Sequence, residues 1–171
     1  MKKLSLIILS TIIMTNIQAF DEPDMPTLDK DFMSAVLNRR NNCSVIADFI
    51  KRGANVNACS QIFLRSVTPV LRCALDRGTD KESVEIIKLL IAAGANVNAR
   101  TYNRVDNEHY GMMPLLTYAV IYSSPEVVQL FINAGANKKN VCGDTSMDYK
   151  KTALMAAQEL GKTEIVKILS K

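Results

Sequence analysis

The triplet Gly-Ala-Asn occurs three times in this chain, at Gly53, Gly94 and Gly135, each copy 41 residues after the last. Every copy closes an apolar segment of helical spacing. Val45, Ile46, Phe49 and Ile50 precede the first, Ile86, Ile87, Leu89 and Leu90 the second, and Val127, Val128, Leu130 and Phe131 the third. A fixed period of a few tens of residues marks a row of similar units, each burying its apolar face against its neighbours. The glycine has a backbone reason. A helix ends readily on a residue in the left-handed conformation, which glycine adopts without a side-chain clash. Each triplet therefore reads as a helix stop followed by a turn.

Three stretches open the next helices: Thr68-Pro69-Val70, Met113-Pro114-Leu115 and Thr152-Ala153-Leu154. Threonine caps free helical N–H groups, and proline fits the first turn, where no N–H bond is lost. One unit is thus a capped helix, a short turn, a second helix, a glycine stop and a loop. The run T-A-L-M-A-A-Q-E-L-G-K-T-E-I-V-K-I-L, Thr152 to Leu169, is the best match to a known pattern. With the three triplets it resembles the ankyrin repeat, T-P-L-H-x-A-A, E-V-V-x-L-L and G-A-x-x-N, in a bacterial-type member led by a signal peptide. The resemblance implies an all-α ankyrin repeat solenoid of about four helix-turn-helix units with long inserted loops. It spans residues 31–171, with repeats near 31–58, 68–99, 113–140 and 152–171. The chain departs from the pattern in places. Leu71, Leu116 and Met155 replace the histidine, Met113 replaces a threonine, and Tyr118 stands where a small alanine is usual.

The family period is about 33 residues, so roughly eight are inserted per unit. In the second unit the insertions fall in the loop 59–66 and between the helices at 76–83. In the third they fall mostly in 100–112. Insertions at loops leave stacked helices intact, because closure entropy grows slowly with loop length. Aligned on the glycine, Asp48 takes the place of Leu89, Leu130 and Ile168. An unpaired buried carboxylate is costly, and a terminal repeat needs a polar outer face. Asp48 is accordingly read as a cap feature and Leu89 as buried between repeats.

Residues 1–19 fit a secretory signal peptide: Lys2 and Lys3, the apolar run Leu4 to Met14, then Ile17 and Ala19 before a cut at Phe20. The run is too short for the roughly 20 apolar residues of a membrane span, so no membrane span is expected after cleavage. Residues 20–30, opening with Pro23, Pro26 and the acids Asp21, Glu22 and Asp24, read as a linker. The formal charge of +4 falls to about +2 without the two leader lysines, too little to argue for nucleic acid.

Catalytic signals are absent from the sequence. The single histidine, His109, lies in a polar loop, and Cys43, Cys59, Cys73 and Cys142 lack the spacing of a zinc site. No catalytic, metal or cofactor residues are assigned, and an enzyme is not expected. Export permits disulfides, but a bridge needs Cα atoms within about 7 Å. The stacking allows at most Cys43–Cys73 and points to four free thiols.

A surface remains. The resemblance implies that projecting loops and first helices bind another protein. Candidate contact residues are Phe63, Arg65, Tyr102, Arg104, Tyr110 and Tyr149 on the loops, with Arg72 and Thr117 on the first helices. Aromatic residues and arginine dominate binding hot spots. The sequence thus suggests an exported, monomeric protein–protein interaction module, periplasmic or secreted. The alternative is a structural or protective periplasmic factor for an envelope enzyme.

Overall fold

The computed structural model describes residues 25–61, 67–104, 110–143 and 150–171. The expected signal peptide lies outside them. Four helix pairs follow one another: α1 (Thr27–Leu37) with α2 (Cys43–Lys51), α3 (Val70–Leu75) with α4 (Lys81–Ala92), α5 (Leu115–Tyr122) with α6 (Pro125–Asn133), and α7 (Ala153–Glu159) with α8 (Thr163–Leu169). The first helices pack in order as one layer, α1 on α3, α3 on α5 and α5 on α7. The second helices form the other, α2 on α4, α4 on α6 and α6 on α8. Phe32, Ile46, Leu71, Ile86, Ile87, Leu90, Leu115, Phe131 and Ile165 are nearly or wholly buried between the layers.

The glycine stops form as the triplets imply. Gly94 has φ +90°. Its N–H donates to the Ile91 carbonyl at 3.0 Å, and that of Ala95 to the Leu90 carbonyl at 2.9 Å. This pair of bonds satisfies the orphan carbonyls of a helix C-terminus. Gly53 and Gly135 repeat both bonds. A Cβ at Gly94 would meet nothing within 4 Å. The backbone angle, rather than a lack of space, therefore selects glycine. The alanine that follows is buried in all three copies.

An asparagine ladder holds these turns in register. The Asn57 side chain accepts from the Asn96 N–H at 2.7 Å and donates to the Gly94 carbonyl at 3.1 Å. Asn98 makes the same two bonds to Asn137 and Gly135, at 2.7 and 3.2 Å. Before the first triplet, Asp29 of α1 takes the acceptor role, receiving the Asn55 N–H at 2.7 Å.

The expectation of an all-α chain is corrected by short strands. β1 (Cys59–Gln61) pairs with β2 (Val67–Pro69), and β3 (Arg100–Arg104) with β4 (Tyr110–Pro114), both antiparallel. The inserted loops 59–66 and 100–112 are therefore built on hairpins, and the fold is mostly rather than wholly helical. Inside a hairpin the backbone groups of an inserted segment pair with each other and need no partner from the helices. The strands also change the helix starts. Thr68 is opposite Ser60 in the ladder, and no side chain caps α3 or α5. Thr152 does cap, accepting from the Met155 N–H at 3.3 Å.

Two further expectations change. Helix α1 starts at Thr27, inside the stretch read as linker, and Asp29 is already buried there. Leu89 is only partly buried, as are Leu130 and Ile168. On a 3.6-residue helix, Ile86, Ile87 and Leu90 point inward and leave Leu89 at the outer edge. The same geometry places Asp48 in solvent, 3.7 Å from Arg52. It needs no buried partner.

Candidate interaction face

The second hairpin carries three of the candidate contact residues. Arg104 is paired with Tyr110 across the ladder, and Tyr102 with Met112. Its base is tied down by Arg100, whose guanidinium donates to the carbonyls of Met112, Val141 and Gly143 at 2.8, 2.8 and 2.7 Å. Arginine suits this task because its planar fork presents several donors in fixed directions. The hairpin is thereby anchored to the connection leading into the fourth unit. Tyr102 is half-buried. Phe63, Arg65 and Tyr149, and likewise His109, lie outside the described residues.

The first-helix layer presents a different constellation. Arg72 on α3 reaches α5, where Nη2 donates to the Tyr118 hydroxyl at 3.1 Å and the guanidinium carbon sits 4.9 Å from the ring centroid. The Tyr118 hydroxyl donates to Asp76 Oδ1 at 2.5 Å. Asp76 Oδ2 is 3.5 Å from Arg72 Nε. Burial, followed by the Asp76 carboxylate, pushes the Tyr118 phenol up to about 12, so it remains a neutral donor at physiological pH. Tyr118 itself is buried, but its ring lies against that of Tyr122, tilted by 43° with centroids 4.6 Å apart. Tyr122 is 53% exposed. A fixed ring of the third unit thus supports an exposed one, and the side chains fixing it, Arg72 and Asp76, come from the second unit.

Thr117 does not belong to this surface. It is fully buried, because its place on α5 points toward the neighbouring helices. Tyr122 and Asp76 were not among the sequence candidates. The signal that could have found them is the helical i, i+4 spacing from Tyr118 to Tyr122 and from Arg72 to Asp76. Tyr118 was already conspicuous as a large residue at a small position.

Cations in the interhelix turns join neighbouring units. Arg77, 3% exposed, donates to the carbonyls of Val36, Asn38 and Asn41 at 2.8, 2.7 and 2.8 Å. Lys162 plays a similar part between the last two units, with Nζ donating to the Val120 and Ile121 carbonyls at 2.8 and 2.9 Å. Each satisfies carbonyls near a helix C-terminus, where positive charge is favourable.

All four cysteines are free thiols, and burial raises Cys73 to about 12 and Cys43 to about 11, the latter helped by Glu82. Among the described residues no group of three or more histidine, cysteine, aspartate or glutamate side chains could hold a metal ion. Nor is any helix there long and apolar enough to cross a membrane. No curated protein matches the chain. A family model described as ankyrin repeats (3 copies) matches residues 32–142 and, overlapping them, 82–171. Those matches run through all four helix pairs and all three glycine turns, so the chain belongs to the ankyrin repeat family.

Proposed function

We propose that this protein is an exported protein–protein interaction module without catalytic activity, a monomeric solenoid presenting one partner-binding face. Ankyrin repeats are generally interaction modules and typically non-catalytic, and the matched family carries that much. The observation that favours a specific face is the Arg72–Tyr118–Tyr122 cluster. Arg72 and Tyr118 are already held by Asp76 and lose little conformational freedom on binding. The exposed Tyr122 lies against the ring of Tyr118, and tyrosine and arginine together are the composition of a hot spot. Tyr102, Arg104 and Tyr110, carried by the second hairpin, are further candidates for the face, and Phe63, Arg65 and Tyr149 are candidates on sequence alone. Export rests on residues 1–19, whose lysine start, apolar run and Ala19 fit a cleaved leader.

The test is capture of a partner by tagged protein from the exported fraction, repeated with Tyr122→Ala and with Tyr102→Ala/Tyr110→Ala. Tyr122→Ala should weaken capture at least tenfold, or about 1.4 kcal/mol, with the melting temperature little changed. Undiminished capture by both variants would show that the face lies elsewhere. Intact mass of the exported protein should show loss of residues 1–19. A full-length product would overturn the localisation. An enzyme partner whose activity or lifetime changes on binding would favour the alternative of a protective envelope factor.

A further inference from the structure

Between the interhelix turns of the third and fourth units lies a cavity of about 300 Å3, lined in part by Ser123, Lys162, Glu164 and Ile165. Two features on its wall are incomplete. Ser123 is 7% exposed, and its hydroxyl oxygen is buried with no hydrogen-bond partner. Buried hydroxyls in native proteins are nearly always paired, so an orphan calls for an acceptor or donor from outside. Lys162 is the second feature. An ammonium carries three protons, and two of them go to the Val120 and Ile121 carbonyls. Among the described residues Lys162 pairs with no carboxylate, and burial holds its ammonium below the usual lysine range. A partly desolvated cation without a counter-charge is costly.

The interhelix turn of the second unit shows a fuller version of the fastening. There the two terminal guanidinium nitrogens of Arg77 reach three carbonyls, and only its Nε has no partner. Lysine at the last turn leaves a proton over and a cavity in front of it. Two exposed apolar side chains, Tyr122 at 53% and Leu160 at 50%, are next in sequence to the lining residues Ser123 and Gly161.

We propose that this notch binds a carboxylate carried on an apolar group, presented by a partner protein. The carboxylate accepts from the Ser123 hydroxyl and from the free Lys162 proton, while its apolar neighbour covers Tyr122 and Leu160. The two side chains make the site, and α8, only two turns long, contributes position rather than charge. The carboxylate can come from a chain end or from an acidic side chain. The inference rests on the reading of the protein as an interaction module, but small probes test the site separately from any partner.

The experiment is a titration of isotope-labelled protein followed by backbone amide shifts. The probes are N-acetyl-leucine, its uncharged amide, and N-acetyl-aspartate α-amide. N-acetyl-leucine should give saturable shifts at Ser123 and Gly161 to Ile165, and the uncharged amide none. Ser123→Ala should weaken binding about tenfold, as expected for one hydrogen bond to a charged group. Lys162→Met should abolish it. If that variant fails to fold, Ser123→Ala decides alone, since it deletes only an unpaired hydroxyl. Binding of the aspartate probe as well assigns the site to acidic side chains, and binding of N-acetyl-leucine alone assigns it to chain ends. Absence of saturable shifts with both carboxylates, equal binding of the uncharged amide, or full binding by Ser123→Ala overturns the proposal. A failed partner capture with an intact titration would sink the module reading and leave this site standing.

Discussion

Replacing Arg77 with methionine should unfasten the first unit from the rest. The side chain is 3% exposed and holds three carbonyls at 2.7–2.8 Å. Methionine keeps much of the stem and removes every donor. The bond to Val36 is buried, whereas those to Asn38 and Asn41 are partly buried. Water can therefore reach the latter two carbonyls and not the first. An orphaned buried carbonyl costs about 1–3 kcal/mol, and each of the others, once rehydrated, loses about 0.5–1.5. Relief from burying a guanidinium works in the opposite direction. The net expectation is a loss of about 2–4 kcal/mol.

In an array stabilised by nearest neighbours, that loss concentrates at one interface. Urea unfolding followed by far-ultraviolet circular dichroism should show an early step that involves α1 and α2. Amide hydrogen exchange in α1 should rise before exchange in α5. Arg77→Lys should recover part of the loss, because Lys162 shows that an ammonium in such a turn can hold two carbonyls. If Arg77→Met costs under about 0.5 kcal/mol, the usual size of a surface change, and α1 exchange stays unchanged, the guanidinium is not the fastening and the reasoning fails.

Gly94→Ala should cost about 1–2 kcal/mol through the left-handed backbone alone, and Gly94→Asn less, because φ is +90° and nothing crowds the missing Cβ; equal melting temperatures for the three proteins would refute this. The thiolate is the reactive form of cysteine, so iodoacetamide near neutral pH should modify exposed Cys59 first. Cys73 and Cys142, both buried and both raised, should react only after denaturant is added, as peptide mass mapping would show. Asp80 caps α4 through the Ser83 N–H and hydroxyl, which hold its carboxyl below the ordinary range. A depressed folded pKa gives stability that is present above the unfolded value of about 3.9 and lost as pH falls through the folded value. Because Asp80 is exposed, the effect is small. Asp80→Asn should leave neutral-pH stability nearly unchanged and flatten the acid limb of a melting-temperature profile, and an unaltered acid limb would remove Asp80 from the account.

The helix pairs and their stops were legible because both depend on local chemistry: a 3.6-residue apolar period and a glycine at a left-handed turn. The hairpins were not. Strand pairing in the inserted segments joins residues such as Arg104 and Tyr110, whose register no local pattern announces. Burial at Leu89 was misjudged for a related reason. Alignment on the glycine tells which residues correspond but not which edge of the helix they occupy, and only the neighbouring unit decides that. The candidate face was half legible. Arg72 was identified by its variable position, yet its use depends on Tyr118 and Asp76, which it meets only after two units stack. Thr117 shared the same repeat position and proved fully buried.

The asparagine ladder shows how a period can be kept while its contents vary. The second unit places much of its extra length between the helices and the third mainly in its hairpin, yet both return to 41 residues. Spacing along the chain does not itself require this, because surface loops tolerate added length. What must be preserved is position in space: the Asn57 amide has to meet Gly94 and Asn96, and the Asn98 amide Gly135 and Asn137. The third triplet is followed by Lys139 where Asn57 and Asn98 stand after the first two. Lysine has no acceptor and cannot carry the ladder onward, and no fourth triplet follows in the sequence. The fourth unit is joined by other means, through Lys162 to α5 and through the Val141–Thr152 bridge. The change of fastening coincides with the one interface that holds the cavity at Ser123. Arg77 fastens its own interface through both terminal guanidinium nitrogens, which reach three carbonyls while its Nε has no partner. Lys162 fastens the last unit with two of its three ammonium protons, beside the cavity it helps to line.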